Sequence, residues 1–165
     1  MNQAFIDGQN LTLGTKQSET PWKIDLAKFR FYLKRKYNVD KAYYFIGYYI
    51  EKYEPLYKAI KRNDYELVFR EFTNDSMSHK KGNVDTDIVF EMMRKIADRE
   101  KLDKMLLVSG DGDYFRTVKY LVDIGKFEKV LAPDEKAMSF LYKRKLSPSY
   151  YSFLGRKEVK AKLAK

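Results

Sequence analysis

The pair Asp111 and Asp113 gives the clearest sign of chemistry in this chain. The two carboxylates are separated by one glycine and directly follow residues 105–108, an apolar run of strand length. A pattern with helical spacing begins at Tyr114 and ends near Gly125, so the pair lies where a buried strand passes to a helix. Open α/β sheets bind ligands at that edge, and two carboxylates this close repel each other unless a cation or a proton lies between them. The competing interpretation makes Asp113 a helix N-cap and Asp111 a turn residue.

Two further carboxylates occupy comparable places. Asp7 ends the short apolar run 4–7 and precedes a predicted turn at residues 8–10, where it could also be an ordinary turn residue. Asp85 opens a helix predicted over residues 84–100 and shares its apolar stripe with Val89, Met92 and Ile96, so it should point toward the sheet. A buried carboxylate needs a partner, although a plain N-terminal charge on the helix is the simpler alternative. Asp87 falls on the opposite stripe, toward solvent.

Strand and helix patterns alternate along the chain. Strands are predicted at residues 4–7, 41–48, 65–72, 105–108 and 127–131. Helices are predicted to begin at Thr20-Pro21 and run to about residue 37, and over residues 54–62, 84–100, 114–125 and 135–145. This alternation predicts an α/β fold with three α/β/α layers and a mostly parallel five-stranded sheet. The expected strand order is 3-2-1-4-5, which makes the first and fourth strands neighbours.

Composition limits the possible functions. The chain has 165 residues, enough for one domain with a real core, and it has no cysteine and one histidine, which excludes disulfides, thiolate zinc sites and histidine-rich metal sites. No apolar run approaches a membrane span and the N-terminus lacks signal-peptide features, so a cytoplasmic protein is expected. A net charge of +10 favours a polyanionic partner, most simply nucleic acid.

An acidic pocket within a basic surface suits a metal-dependent enzyme acting on phosphodiesters. The predicted strand order brings Asp7, Asp111 and Asp113 together, and the helix after the third strand can add Asp85. Hard oxygen ligands without histidine or cysteine select Mg²⁺ or Mn²⁺ over zinc. Asn10 could position the attacking water or a carboxylate. Other supporting residues are predicted as follows: Ser109 and Asp87 around the ligands, and Lys80 and Lys81 on substrate phosphates.

Three blocks of sequence contain the residues considered above: residues 5–11 (FIDGQNL), 81–87 (KGNVDTD) and 107–115 (LVSGDGDYF). In sequence and in order, they resemble the signature blocks of the NYN domain, within the PIN-like superfamily. The LabA-like or limkain-type group is the most similar branch. The resemblance implies a PIN-like fold and a metal-dependent nuclease, usually acting on RNA. It places Asp7, Asp85, Asp111 and Asp113 at the acidic metal-site positions and Asn10 at the family's asparagine.

The resemblance covers nearly the whole chain up to about Leu141. The predicted domain is residues 1–145, and residues 146–165 form an aromatic and basic extension. This extension could pack on the domain, contact a partner or mediate a homo-oligomer. Two other functions compete with a ribonuclease. One is a PIN-like module that binds RNA or protein without cutting it. The other is a Mg²⁺-dependent phosphatase, which the residues at 7–9 disfavour because no second carboxylate follows Asp7 by two positions.

Overall fold

The structure, a computed structural model, describes residues 1–71 and 84–165. Its strands are β1 (Asn2–Asp7), β2 (Val39–Ile46), β3 (Glu66–Phe69), β4 (Met105–Val108), β5 (Phe127–Ala132) and β6 (Tyr151–Phe153). Its helices are α1 (Gly8–Lys16), α2 (Leu26–Tyr37), α3 (Glu54–Arg62), α4 (Asp85–Ala97), α5 (Phe115–Asp123), α6 (Phe140–Lys145) and α7 (Lys157–Leu163). Short 3₁₀ turns lie at Glu51–Tyr53, Gly112–Tyr114 and Pro148–Tyr150.

The strands form one sheet in the order β3-β2-β1-β4-β5-β6, and every pair of neighbouring strands is parallel. The predicted order of the first five strands is therefore confirmed. The sixth strand, which the sequence pattern did not separate from a packing segment, extends the sheet beyond β5. Since β1 and β4 are neighbours, the loops after them share one edge of the sheet, where ligands bind in this class of fold.

Alternate residues of each central strand face opposite helical layers, which accounts for the three-layer fold. Phe5 packs on the face covered by α4, α5 and α6, whereas Ala4 and Ile6 pack on the face covered by α1, α2, α3 and α7. Both faces of β1 and β4 are buried, so these strands read as continuous apolar runs. Among the described residues no helix is long and apolar enough to cross a bilayer.

Two predicted elements differ from the structure near β1 and α2. Residues 8–10 begin α1 rather than a turn, because the Asp7 carboxylate caps the helix by accepting a hydrogen bond from the Asn10 N–H. The second helix begins at Leu26, where Asp25 is the N-cap, and not at Thr20-Pro21. The preceding segment is held by a backbone bond from Trp22 to Thr15 and by an antiparallel bridge between Ile24 and Ala164.

The end of the chain also differs from the sequence pattern. Helix α6 covers only the second half of the predicted helix at 135–145, since Ser139 caps it and residues 133–138 form turns. Phe153 of β6 is buried in the core beside α6, and α7 packs on α2 through buried Leu163. The aromatic extension thus packs on its own domain. The division at residue 145 and a homo-oligomer formed through residues 146–165 remain predictions.

Candidate metal centre

Three carboxylates converge at the carboxyl edge of the sheet. Asp85 is the first residue of α4, and Asp111 and Asp113 follow β4 in the loop that leads to α5. One oxygen from each lies within 4.8 Å of the other two. Asp85 and Asp111 are half-buried and Asp113 is exposed, so the group opens to solvent on one side. The sequence prediction that these three side chains meet agrees with this geometry.

Asp7 lies deeper and reaches the three carboxylates through a tyrosine. Its side chain is only 4% exposed, and its Oδ1 accepts the Asn10 backbone N–H at 2.9 Å. The fully buried Tyr114 hydroxyl lies 3.0 Å from Asp7 Oδ2 and 2.8 Å from Asp85 Oδ1. Asp7 is therefore joined to the group by a shared hydroxyl and is not among the three oxygens that meet directly. Its predicted role as a metal ligand stays a prediction.

The shared hydroxyl has one proton and two carboxylate neighbours, so it donates to one of them at a time. Burial raises the pKa of Asp7, the hydrogen bonds from Asn10 and Tyr114 lower it, and the negative charges of Asp85 and Asp111 raise it further. The net shift is upward. A proton on Asp7, donated to the Tyr114 oxygen while Tyr114 donates to Asp85, satisfies both contacts at once.

The loop after β4 is fixed by its own short hydrogen bonds. The buried Ser109 hydroxyl oxygen accepts the Asp111 N–H at 3.2 Å, and Asp111 Oδ1 accepts the Asp113 N–H at 2.9 Å. Asp111 therefore caps the 3₁₀ turn, the position that the simpler interpretation gave to Asp113. Ser109 thus holds the loop through its hydroxyl and the backbone of Asp111, and its place around metal ligands stays a prediction.

Asn10 and Gly110 join the loops that follow the two central strands. The Gly110 N–H donates to Asn10 Oδ1 at 2.9 Å, so the Asn10 side chain ties the start of α1 to the β4 loop. A Cβ at Gly110 would clash with the Ala137 carbonyl oxygen, so only glycine fits this position. The Asn10 side chain thus stabilises the backbone of the site. The sequence prediction was that it positions a water or a carboxylate.

Tyr142 supports the same loop from α6. Its fully buried ring lies in the core, and its hydroxyl donates to the Asp111 carbonyl oxygen at 2.5 Å. Burial first, and then the charges of Asp111, Asp113 and Asp85, raise the pKa of Tyr142, so the hydroxyl stays protonated. Neither Tyr114 nor Tyr142 was singled out from the sequence, because a tyrosine within an apolar stripe has the pattern of a core residue.

The remaining predicted residues lie apart from this group or outside the description. Asp87 pairs with Arg70, with 4.0 Å between Oδ2 and Nε, so it has a partner of its own. Lys80 and Lys81 lie outside the described residues. Within the described ranges 1–71 and 84–165, no ion pair is made by Asp7, Asp111 or Asp113.

The donor set fits a hard divalent cation. Three carboxylate oxygens gathered within 4.8 Å are mutually repulsive, and a cation between them removes the repulsion. Carboxylate oxygens without histidine or thiolate suit Mg²⁺ or Mn²⁺, which also keep waters and bind substrate phosphates. The open side at Asp113 leaves room for such additional ligands.

Comparison with known proteins identifies a family for this chain. No curated protein matches the chain. A solved structure of a protein of unknown function from Vibrio parahaemolyticus shares the fold, with a TM-score of 0.75 at 17% identity over 94% of this chain and 93% of that one. The family model of the NYN domain, a PIN-like nuclease-type domain, matches residues 3–145 and thus contains all four aspartates. The chain therefore belongs to the NYN domain family.

Proposed function

We propose that this NYN domain is a divalent-metal-dependent ribonuclease that hydrolyses RNA phosphodiester bonds. The observation that carries the proposal is the meeting of Asp85, Asp111 and Asp113 oxygens within 4.8 Å at the carboxyl edge of the sheet. The family supports nuclease chemistry, and the net charge of +10 supports a polyanionic substrate. The finer placement in the LabA-like branch remains a prediction.

The residues of the site fall into different roles in this proposal. Asp85, Asp111 and Asp113 would hold Mg²⁺ or Mn²⁺, which when bound neutralises charge on the phosphodiester and makes a water more acidic. Tyr114 orients Asp85 and Asp7 by its hydrogen bonds to both. Ser109, Asn10 and Tyr142 hold the loop that carries the other two ligands. Asp7 accepts or releases a proton at the buried side of the site.

Cleavage of labelled RNA tests this function. Single-stranded and hairpin RNA would be incubated with Mn²⁺, Mg²⁺ or EDTA and with purified wild type, Asp7→Asn or Asp111→Asn. Asp123→Asn is the matched control, because Asp123 is an exposed carboxylate that pairs with Lys119 away from the site. We expect metal-dependent cleavage by wild type and the control, and loss of cleavage in the two site variants.

Three outcomes would reject the proposal. Equal cleavage by wild type and both site variants would assign the activity to a contaminant or to another site. Calorimetry that detects no Mn²⁺ binding, together with intact RNA in every reaction, would instead favour a module that binds RNA or protein without cutting it. Release of phosphate from small phosphoesters without RNA cleavage would favour a phosphatase.

A further inference from the structure

A second surface feature, separate from the acidic site, is a groove beside the edge strand β6. It has a volume of about 590 Å³ and lies between the end of α2, strands β5 and β6, and α6. This volume falls within the range of ligand-sized clefts, roughly 300–1,000 Å³. We call it the β6 groove. Part of its wall comes from residues 146–165, which lie outside the family match.

Four cations line the β6 groove, and they surround two aromatic rings in pairs. Lys143 and Arg156 lie 5.7 and 5.3 Å from the centre of the Phe153 ring. On the other side, Lys36 and Lys129 lie 5.5 and 6.0 Å from the centre of the Tyr37 ring. Each ring attracts its two cations through its negative face. The rings therefore fix four positive charges around one cleft.

The charge of the groove is not balanced by its own residues. Among the residues that line it, Glu135 is the one carboxylate, and it pairs with Lys143 at 3.0 Å. Three positive charges thus remain in excess. Like charges held near one another repel, and a bound polyanion relieves this repulsion and releases counterions. The arrangement is complementary to a chain of phosphates.

The groove and the acidic site share α6 as a wall. Tyr142 of this helix donates to the Asp111 carbonyl oxygen, and the next residue, Lys143, lies over Phe153 in the groove. The helix therefore joins one wall of the groove to the loop that carries Asp111 and Asp113. This shared helix and the positive charge of the groove favour, as its occupant, a nucleic-acid strand on which the proposed nuclease would act.

We propose that the β6 groove binds the sugar-phosphate backbone of single-stranded RNA. Lys36, Lys129, Lys143 and Arg156 contact the phosphates, so binding depends on charge and not on base sequence. The identity of the polyanion as RNA rests on the proposed ribonuclease function. The groove as a phosphate-binding surface stands on its own geometry.

Fluorescence anisotropy of a labelled single-stranded RNA in EDTA tests the groove without cleavage. Wild type would be compared with the double variant Lys129→Gln/Arg156→Gln and with Lys52→Gln/Lys101→Gln. The second pair changes two exposed lysines that lie outside the groove, and both variants have the same net charge. We expect roughly ten-fold weaker binding for the groove variant, with its salt slope reduced by about 1.4, because a single-stranded phosphate contact contributes about 0.7. The control should bind within about two-fold of wild type.

Further variants separate charge from folding and from catalysis. Lys129→Arg/Arg156→Lys keeps both charges and should retain the wild-type affinity, and circular dichroism should show equal folding for all variants. Equal weakening in the groove and control variants would overturn the proposal, as would unchanged affinity in both. An oligoglutamate of equal charge provides a further comparison. If it binds as tightly as the RNA, and if the groove variant loses this binding too, the occupant is an acidic protein segment and the RNA proposal is overturned.

The proposed nuclease function can fail without the groove, and the groove without the nuclease. If only the groove variant loses RNA binding and no protein shows metal-dependent cleavage, the nuclease function is rejected and the groove is supported as an RNA-binding surface. Metal-dependent cleavage that is lost in Asp111→Asn, with normal RNA affinity in the groove variant, would reject the groove and keep the enzyme.

Discussion

The two ends of helix α4 carry acidic residues in opposite electrostatic settings. At its C-terminal end, Arg94 bonds to Glu91 and to Asp98 at 2.7 Å each, and Lys95 bonds to Glu100 at 2.8 Å. These side chains, called here the Arg94–Lys95 network, match carboxylates with cations. The Lys95 side chain is only 3% exposed and also donates to the Tyr43 hydroxyl at 3.1 Å. This end of the helix is a structural assembly.

At the N-terminal end, Asp85 meets Asp111 and Asp113 instead. The donors that the described residues bring to Asp7 and Asp111 are hydroxyl and backbone N–H groups. Such donors orient a carboxylate without neutralising its charge, which leaves the charge available to a metal ion. The partners of a carboxylate, and not its presence in a cluster, therefore distinguish a candidate metal ligand from a member of a structural ion pair.

The largest expected effect appears when an Asp→Asn substitution at the N-terminal end of this helix is compared with one at its C-terminal end. Asp85→Asn should lower Mn²⁺-dependent RNA cleavage by about 10²–10³-fold, because it removes charge from a reacting centre. Asp98→Asn, on the exposed side of the network, should keep full activity and cost only a few tenths of a kcal/mol. Cleavage rates and thermal unfolding of both variants provide the measurement. Equal activity of the two would remove the distinction between the ends.

Tyr114→Phe is expected to give the next largest effect. It removes the hydroxyl that orients Asp85 and Asp7 but leaves the aromatic ring in the core. Outer partners of metal ligands typically change affinity or activity by about 10–100-fold. We expect calorimetry to show Mn²⁺ affinity reduced by about 10–100-fold, while the affinity for RNA in EDTA stays unchanged. Normal Mn²⁺ affinity would show that the hydroxyl only stabilises the core.

Sequence patterns predicted the edge of the sheet better than the interior of the site. Asp7 and Asp111 could be placed because an apolar run followed by a carboxylate marks the end of a buried strand. The strand at 105–108 and the helix at 54–62 have the predicted bounds, since their polar and proline boundaries are local signals. The fold class and the order of five strands follow from the alternation of such elements.

The missed features depend on contacts between distant residues. The Tyr114 hydroxyl reaches Asp7, and this contact joins residues 107 positions apart. Strand β6 pairs with β5 only because the chain turns back after α6, which no periodicity in a three-residue strand reveals. One local signal pointed to the role of Tyr114: a tyrosine directly follows the Asp111-Gly112-Asp113 turn, and its hydroxyl needs a hydrogen-bond partner when it is buried.

Lys95→Met should have a smaller effect than the site variants, and its effect should be on stability. Burial lowers the pKa of Lys95, but hydrogen bonding to Glu100 and Tyr43 outweighs it, so the pKa is raised on folding. Because the pKa is raised, protonated Lys95 stabilises the fold at pH values below the unfolded pKa of about 10.4. This stabilisation is lost as the pH rises through the folded pKa. We expect a loss of about 1–2 kcal/mol at neutral pH in urea unfolding, which disappears in alkali, with unchanged RNA cleavage. A loss that persists equally in alkali would assign it to packing.

The smallest predicted effect is a gain of stability at the site itself. Asp7→Asn keeps the hydrogen bond from the Asn10 N–H and gives the Tyr114 oxygen an N–H donor, so Tyr114 can donate to Asp85 without a shared proton.

The sign of the effect follows from the raised pKa of Asp7, which means that the folded state holds the Asp7 proton more tightly than the unfolded chain. Ionised Asp7 therefore destabilises the metal-free protein above its folded pKa, whereas below about pH 3.9 both states are protonated and the penalty disappears. We expect Asp7→Asn to be more stable than wild type by roughly 1 kcal/mol at neutral pH in EDTA, with the gain shrinking in acid, as measured by urea unfolding. Such a gain, together with lost cleavage, would show that a buried carboxylate is kept at this edge at a cost to the fold. A destabilised variant would instead place Asp7 with the structural carboxylates of the Arg94–Lys95 network.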